Sequence, residues 1–343
     1  MKKQITIPFF IPHRGCPHQC VFCNQRAVSG REDIIRPELI IPTVKKHLET
    51  APPGVRAEIA FFGGSFTGIA VEEQTALLTE AKRALTLGLV SGVRASTRPD
   101  YVDDTVCERL RAFGVTTLEL GIQSFSDEVL LKSGRGHTSA DSVRALETLR
   151  ANGIDTVIQL LPGLPGDTRD LSIASAEKAA LFRPSGVRIY PAIVLEHTAL
   201  ADLYRSGEYQ PLKMEEAVDL CARMTEIFDK TGIPVIKTGL HPFSETKCAS
   251  ILAGPYHPAF GFFVKARIRR NELAFKARDF VALNPGTERP VLGLPAVNAE
   301  EYIGHRKENI EWLEKNFSLK ITDYRIHEDI SCPTFFIDAK SPD

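Results

Sequence analysis

Several absences narrow the field before any motif is considered. Charge of one sign is missing, since 42 lysines and arginines stand against 43 aspartates and glutamates, a net charge of −1. Such a chain has no global attraction for nucleic acid, so any contact of that kind must come from a local patch. Long apolar runs are missing too, and nothing approaches the roughly 20 residues of a membrane-spanning helix. The apolar start is interrupted by Pro8, Pro12, His13 and Arg14, with no small-residue cleavage site behind it, so a signal peptide is not expected. Cysteine is scarce and odd in number, seven in 343 residues, which suits a reduced compartment better than a disulfide framework. The cytoplasm is therefore expected. Internal repeats and low-complexity tracts are also lacking. What remains is the make-up of a soluble globular protein, long enough for one large α/β barrel or two ordinary domains.

Short β-rich runs alternate with amphipathic segments along most of the chain. The runs are "ITIPFFI", "AEIAFFGG", "GVRAST", "TTLELGIQS", "DTVIQLLPG", "GVRIYPAIV" and "IPVIKTGL". Between them lie helical stretches such as "EEQTALLTEAKRAL" and "MEEAVDLCARMTEIFDKTG", several closed by glycine, at Gly114, Gly153 and Gly232. Strict alternation with short connections implies βαβ units and a parallel sheet. Six or seven units predict an α/β fold built on a partial (β/α)6-type barrel over residues 1–245. The pattern loses regularity near Leu240, and residues 246–343 read as a smaller α+β extension that would bind substrate. It should contain a helix near His257–Leu273, another near Ala299–Asn316 and a final strand in "LKITDYRIHED". The polar and glycine-rich residues cluster where the runs end, at "GGSF", "STRPD", "GIQS" and "PGLPGDT". In parallel α/β folds the C-terminal ends of strands carry the active site.

At the end of the first run, "GCPHQCVFCNQ" places Cys16, Cys20 and Cys23 in eight positions. Three thiolates from one loop fit a structural zinc completed by His13 or His18, a disulfide with one thiol spare, or a 4Fe–4S cluster with one open iron. Zinc sites usually add a second cysteine pair farther along. Here Cys107, Cys221, Cys248 and Cys332 are isolated from one another, and the cluster fits the loop better. An aromatic residue, Phe22, precedes the last cysteine.

Cys-x3-Cys-x-aromatic-Cys after the first strand of a βα barrel resembles the radical S-adenosylmethionine (SAM) superfamily, over about residues 5–245. The resemblance implies a cluster on the three cysteines whose fourth iron takes SAM, and reductive cleavage of SAM to a 5′-deoxyadenosyl radical that abstracts hydrogen from a substrate. It implies cofactor contacts at Phe22, Gly63, Gly64, Ser96, Gln123 and Arg135, the last toward the SAM carboxylate. Ser65 and Ser96 stand where relatives often carry glutamate. Within the superfamily, "FFGGSFTG", "STRPD", "LELGIQS", "GRGHT" and "GLPGDT" are similar to the radical SAM module of the Elongator catalytic subunit. They resemble the oxygen-independent coproporphyrinogen dehydrogenases less closely. Elongator catalytic subunits modify tRNA wobble uridine and carry an acetyltransferase domain. With about a hundred residues after the barrel, this chain is expected to be a stand-alone relative without it.

The extension supplies a substrate clue, a stripe of Lys265, Arg267, Arg269 and Arg270 interleaved with Phe260, Phe263 and Phe275. It reads either as an amphipathic helix with a solvated face or as a tRNA-binding surface. Cys248, near His241 and His257, is a candidate hydrogen-atom donor or nucleophile, or an incidental thiol. Cys107 and Cys221 fall on apolar helix faces and are expected in the core. Tyr190 is either core or a lid over the cofactor. The function expected is a radical SAM enzyme acting on a tRNA nucleoside, with an electron donor such as flavodoxin or ferredoxin. The alternatives are a small-molecule or peptide substrate, or an RNA-binding protein whose cluster is structural.

Overall fold

The computed structural model describes residues 4–11, 14–17, 19–24, 35–240, 250–321 and 323–336. It divides into two compact units, Met1–Ala217 with Ile227–Pro258, and Val218–Glu226 with Ala259–Asp343.

The first unit is built on seven parallel strands: β1 (Gln4–Phe10), β2 (Arg56–Phe62), β3 (Gly92–Thr97), β4 (Val115–Gln123), β5 (Asp155–Leu160), β6 (Gly186–Ile189) and β8 (Val235–Thr238). They lie in that order across one sheet. A short β7 (Val194–Leu195) pairs antiparallel with β9 (Ile251–Ala253). Helices α1 (Ile40–Glu49), α2 (Val71–Thr86), α3 (Asp104–Ala112), α4 (Asp127–Lys132), α5 (Ser139–Ala151), α6 (Arg169–Leu181) and α7 (Ala199–Ser206) connect the strands, followed by α8 (Met214–Lys230). This is the partial barrel read from the sequence, with a seventh strand beyond the sixth unit. The edge position of β1 explains how Pro8 sits inside a strand, because its missing N–H deprives no neighbour of a ladder bond.

Helix starts set the length of the strand-end loops. Asp103, Ser126, Thr138, Thr168 and Thr198 each cap the helix that follows, and Thr138 forms a reciprocal capping box with Asp141. Gly114, Gly153 and Gly232 adopt left-handed dihedrals after their helices, as expected. Sheet and helices bury Ile59, Phe61, Leu77, Leu118, Leu146 and Ile158 between them.

The second unit packs α9 (Phe260–Leu283), α10 (Ala299–Ile303) and α11 (Glu308–Phe317) around a three-stranded sheet in the order β11 (Tyr324–His327), β10 (Val291–Pro295), β12 (Thr334–Phe336). Its core includes Leu273, Phe280, Leu292, Leu294, Tyr302 and Leu313. The first expected helix starts three residues later and ends ten residues later than its pattern suggested. Leu273, Ala277 and Phe280 extend its buried stripe, and the first strong breakers are Pro285 and Gly286. The second breaks in two at Gly304, where left-handed dihedrals at Arg306 and Lys307 turn the chain. Of the expected final strand, Tyr324–His327 is the part that is extended among the described residues.

Candidate functional site

The cysteine loop is held by backbone rather than by side chains. Ile11 donates to the Phe62 carbonyl (2.7 Å) and Ser65 donates to the Arg14 carbonyl (2.8 Å). Glycines let the first two strand-end loops touch. A Cβ on Gly15 would lie 2.1 Å from the Ser65 carbonyl oxygen, and one on Gly64 would lie 2.2 Å from that of Arg14. Gly15 also has φ +72°, which side chains rarely adopt. Farther along, Val21 donates to Ser133 (3.1 Å), Leu200 donates to Val21 (2.8 Å), and the Cys23 amide closes a turn onto the Cys20 carbonyl (3.0 Å). Of the three cysteines Cys20 is buried, and Cys16 and Cys23 are half-buried.

Above the strand ends lies a cavity of about 690 Å³. Cys16, Phe22, Cys23, Gly63, Gly64 and Arg135, from the loops after β1, β2 and β4, line it together with Ser96 and Gln123 at the ends of β3 and β4. Residues at both edges of the sheet reach it, Pro8 and Phe10 from β1 and Lys237 from β8, so the sheet curls around it. Cys20 does not line the cavity, but its Sγ receives a hydrogen bond from Arg135 Nη1 at 3.1 Å. Arg135 Nη2 donates to the Gly121 carbonyl, and Nε is buried without a partner.

Gln123 carries the least comfortable backbone of the site. It is a non-glycine residue at φ +70°, at a register shift between β4 and β5, with its Oε1 buried and unpartnered. Strain and an orphan acceptor in one cavity-lining residue are typical of a position kept for a ligand. Ser65, by contrast, is turned away into a buried hydroxyl chain. Its Oγ pairs with Thr97 Oγ1 (2.9 Å), which pairs with Thr67 Oγ1 (2.6 Å), and the Arg98 amide donates to Ser65 (3.2 Å).

Two buried arginines set the electrostatics around the thiols. Burial and the neighbouring Cys20 push the Cys16 thiol up, while Arg98, Arg135 and the Ser65 backbone pull it down. His137 lies in the same field. Burial, Arg135 and Arg98 push its imidazole down to about 3, with Asp100 opposing. Neither ring nitrogen reaches hydrogen-bond geometry with a partner, the nearby Ile122 backbone included.

The far wall of the cavity holds residues that sequence reasoning passed over. Glu119 on β4, only 1% exposed, accepts from Arg94 Nη1 (3.0 Å), Arg188 Nη2 (3.0 Å) and Gln159 Nε2 (3.2 Å). Glu58 accepts from Arg94 Nε (2.7 Å) and Gln4 Nε2 (3.1 Å). Arg188 Nη1 donates to the Tyr190 hydroxyl (3.2 Å), so Tyr190 belongs to this cavity wall. The available signal was a charged or amide residue amid the apolar run of successive strands, Glu58, Arg94, Glu119, Gln159 and Arg188. Register places Gln159 opposite Arg188 and Arg188 opposite Lys237.

In the second unit the basic stripe does not stand free. Arg267 pairs with Asp219, Arg269 with Glu272 (3.1 Å) and Glu301 (3.4 Å), and Arg270 with Asn309 (2.7 Å) and Glu308 (3.6 Å). Lys265 also pairs with Glu301 (3.2 Å), but its side chain is 65% exposed, against 12% for Arg267 and 14% for Arg270. These pairs tie the three arginines to acidic and amide neighbours within their own unit and leave Lys265 the most exposed of the four. Phe260 is buried, Phe263 packs edge-on against His305, and Phe275 is exposed.

Cys107 and Cys221 are fully buried, and burial lifts the Cys107 thiol to about 11. Cys248, together with His13, His18 and His241, lies outside the described residues. Among the described residues no three His, Cys, Asp or Glu side chains converge on a point that a single ion would occupy. A cubane cluster needs its thiols on separate corners, and a loop that places Cys16 and Cys23 on the cavity with Cys20 buried behind them fits that larger group. No helix among the described residues is long and apolar enough to cross a membrane.

Comparison with known proteins bears on this geometry. A profile of the radical SAM superfamily matches residues 10–175, and one of the radical SAM C-terminal domain matches residues 184–270. The tRNA uridine(34) acetyltransferase of Methanocaldococcus jannaschii is 26% identical over 260 residues, covering 63% of this chain and 47% of that protein. Mouse Elongator complex protein 3 is 33% identical over 137 residues, 39% of this chain and 25% of its own length. The chain thus spans about half the length, or less, of these curated relatives. The solved structure of Methanocaldococcus infernus Elp3, lacking its N-terminus, superposes with a TM-score of 0.63 at 20% identity, covering 80% of this chain and 64% of that one. At that identity the likeness speaks for the fold.

Proposed function

Because this chain belongs to the radical SAM superfamily, we propose that it is an enzyme that cleaves SAM reductively and abstracts hydrogen from a tRNA nucleoside. The observation that carries the chemistry is the shared cavity at the strand ends, where Cys16 and Cys23 meet Phe22, Gly63, Gly64, Ser96 and Gln123. Cys16, Cys20 and Cys23 would hold a 4Fe–4S cluster. When bound, that cluster supplies one electron to the SAM sulfonium, releasing methionine and a 5′-deoxyadenosyl radical. The protein's residues do the rest. Gly63 and Gly64 bring bare backbone to the rim, and the Gln123 amide oxygen offers an acceptor to a ribose hydroxyl. The apolar wall of Pro8, Phe10, Phe22 and Phe62 keeps water from the reacting atoms.

The substrate rests on the names of the relatives, which act on tRNA uridine or belong to Elongator. Acetyl transfer is not carried over, because the alignments cover about half of those proteins or less. Three thiols that must stay reduced favour the cytoplasm, and a low-potential carrier such as flavodoxin or ferredoxin would supply the electron. Cys248 remains the candidate hydrogen donor from the sequence.

The test is anaerobic reconstitution with iron and sulfide, followed by product analysis with SAM and total tRNA. Formation of 5′-deoxyadenosine by the wild type, and none by Cys16→Ser, Cys20→Ser or Cys23→Ser, is expected. Stoichiometric zinc in place of the cluster would refute the reading. SAM cleavage that tRNA neither stimulates nor couples to a modified nucleoside would transfer it to a small-molecule or peptide substrate.

A further inference from the structure

We propose that Arg135 serves the cluster directly, donating to the Cys20 thiolate and raising the reduction potential of the centre, with Arg98 as its positioning residue. The inference rests on the reading above that Cys20 is a cluster ligand. The contact spans 115 residues of sequence, with Nη1 to Sγ at 3.1 Å, and both partners are nine-tenths buried, Cys20 at 7% and Arg135 at 6% exposure.

The guanidinium is fixed from several sides. Nη2 is held by the Gly121 carbonyl at the β4 register shift, and the Arg135 carbonyl accepts from Arg98 Nη2. Arg98, 3% exposed, is itself clamped by Asp100 through two parallel bonds of 2.9 Å, Nε to Oδ1 and Nη2 to Oδ2. Nη1 and Nη2 each carry a second N–H beyond these contacts, whereas Nε is enclosed without a partner.

The chemistry follows from where charge accumulates. One electron from an external low-potential donor enters the centre; no bond forms or breaks and no proton moves. The reduced centre carries one more negative charge, so a cationic donor on a ligand sulfur stabilises it more than the oxidised centre. Hydrogen bonds to the sulfurs and exclusion of solvent are established controls on such potentials. Burial strengthens the effect by removing water as a competitor.

The experiment is a redox titration of the reconstituted protein without SAM, poised with dithionite and followed by electron paramagnetic resonance (EPR), on wild type, Arg135→Met, Arg135→Lys and Arg98→Met. Arg135→Met should lower the reduction equilibrium at least tenfold, about 59 mV for one electron. Arg135→Lys should shift it less, because charge is kept and the directional bond lost, and Arg98→Met should shift it in the same direction. An unchanged potential in Arg135→Met, whatever happens to SAM affinity, would overturn the proposal. Should Arg135→Met not hold iron, the wild type decides. With 15N-guanidinium arginine, pulsed EPR of the reduced centre should show a nitrogen coupling, and its absence overturns the inference. A wild type that loads no cluster would withdraw the proposed function as well, whereas normal SAM cleavage without these signatures removes only this step.

Discussion

At the scale of single residues, two side chains are held in states they would not choose in water. His137 is kept neutral by burial beside Arg135 and Arg98, its imidazole pushed down to about 3. Between pH 6.5 and 3 the unfolded chain therefore binds a proton that the folded protein refuses, and stability contributed by this group above pH 6.5 is lost as the pH falls. Acidification from pH 7 to 5 should cost about 2 kcal/mol through this group. His137→Asn should flatten that part of the slope in urea unfolding at the two pH values, and parallel slopes would exonerate His137. Gln123 holds a left-handed backbone that costs a non-glycine residue roughly 1–2 kcal/mol. Gln123→Gly relieves that strain but adds glycine's entropy loss of about 0.5–1 kcal/mol. Stability should thus hold within about 1 kcal/mol while SAM affinity falls at least about tenfold, the loss of a good hydrogen bond. A variant that binds SAM normally would show that the strain serves folding alone.

At the scale of elements, the site depends on two strand-end loops touching and on one row of inward side chains. Gly64→Ala would drive a methyl group into the Ile11 and Arg14 carbonyls, both backbone atoms that cannot swing aside. The cysteine loop must then move. Overpacking of this kind costs about 1–3 kcal/mol, and the variant should retain less iron after desalting than wild type reconstituted in parallel. Full retention would mean the loops can separate without harm. Across β3, β4 and β6, Glu119 holds two arginines together. Glu119→Leu leaves Arg188 without its carboxylate inside the barrel and should destabilise by about 3–5 kcal/mol in denaturant. A loss under about 1 kcal/mol would mean that water replaces the carboxylate.

At the scale of the whole molecule, a net charge of −1 leaves the proposed tRNA contact to local features. Because Arg267 and Arg270 already hold acidic or amide partners, their replacement by glutamine should lower stability without flattening the salt dependence of tRNA binding. Lys265→Gln, at an exposed position, should flatten it by about 0.7, one single-strand phosphate contact. Binding measured across a salt series checks both. A flattened slope in the Arg267→Gln, Arg270→Gln pair would restore the stripe as a phosphate surface.

The sequence by itself determined what is local. Three thiols within eight positions need only one loop to gather them, and strand–helix alternation with capping residues dictates a parallel α/β sheet. Glycines after Phe62 marked a strand-end loop for the same reason. Tertiary structure alone decided which distant groups met. Arg135 reaches Cys20 across 115 residues, Glu119 collects partners from three other strands, and the α9 arginines find acids on Asp219, Glu301 and Glu308. Spacing along a helix or strand says which face a side chain takes, but not what lies opposite. For charged groups those partners decide the role, as when Arg94 bridges Glu58 to Glu119 and Arg269 bridges Glu272 to Glu301.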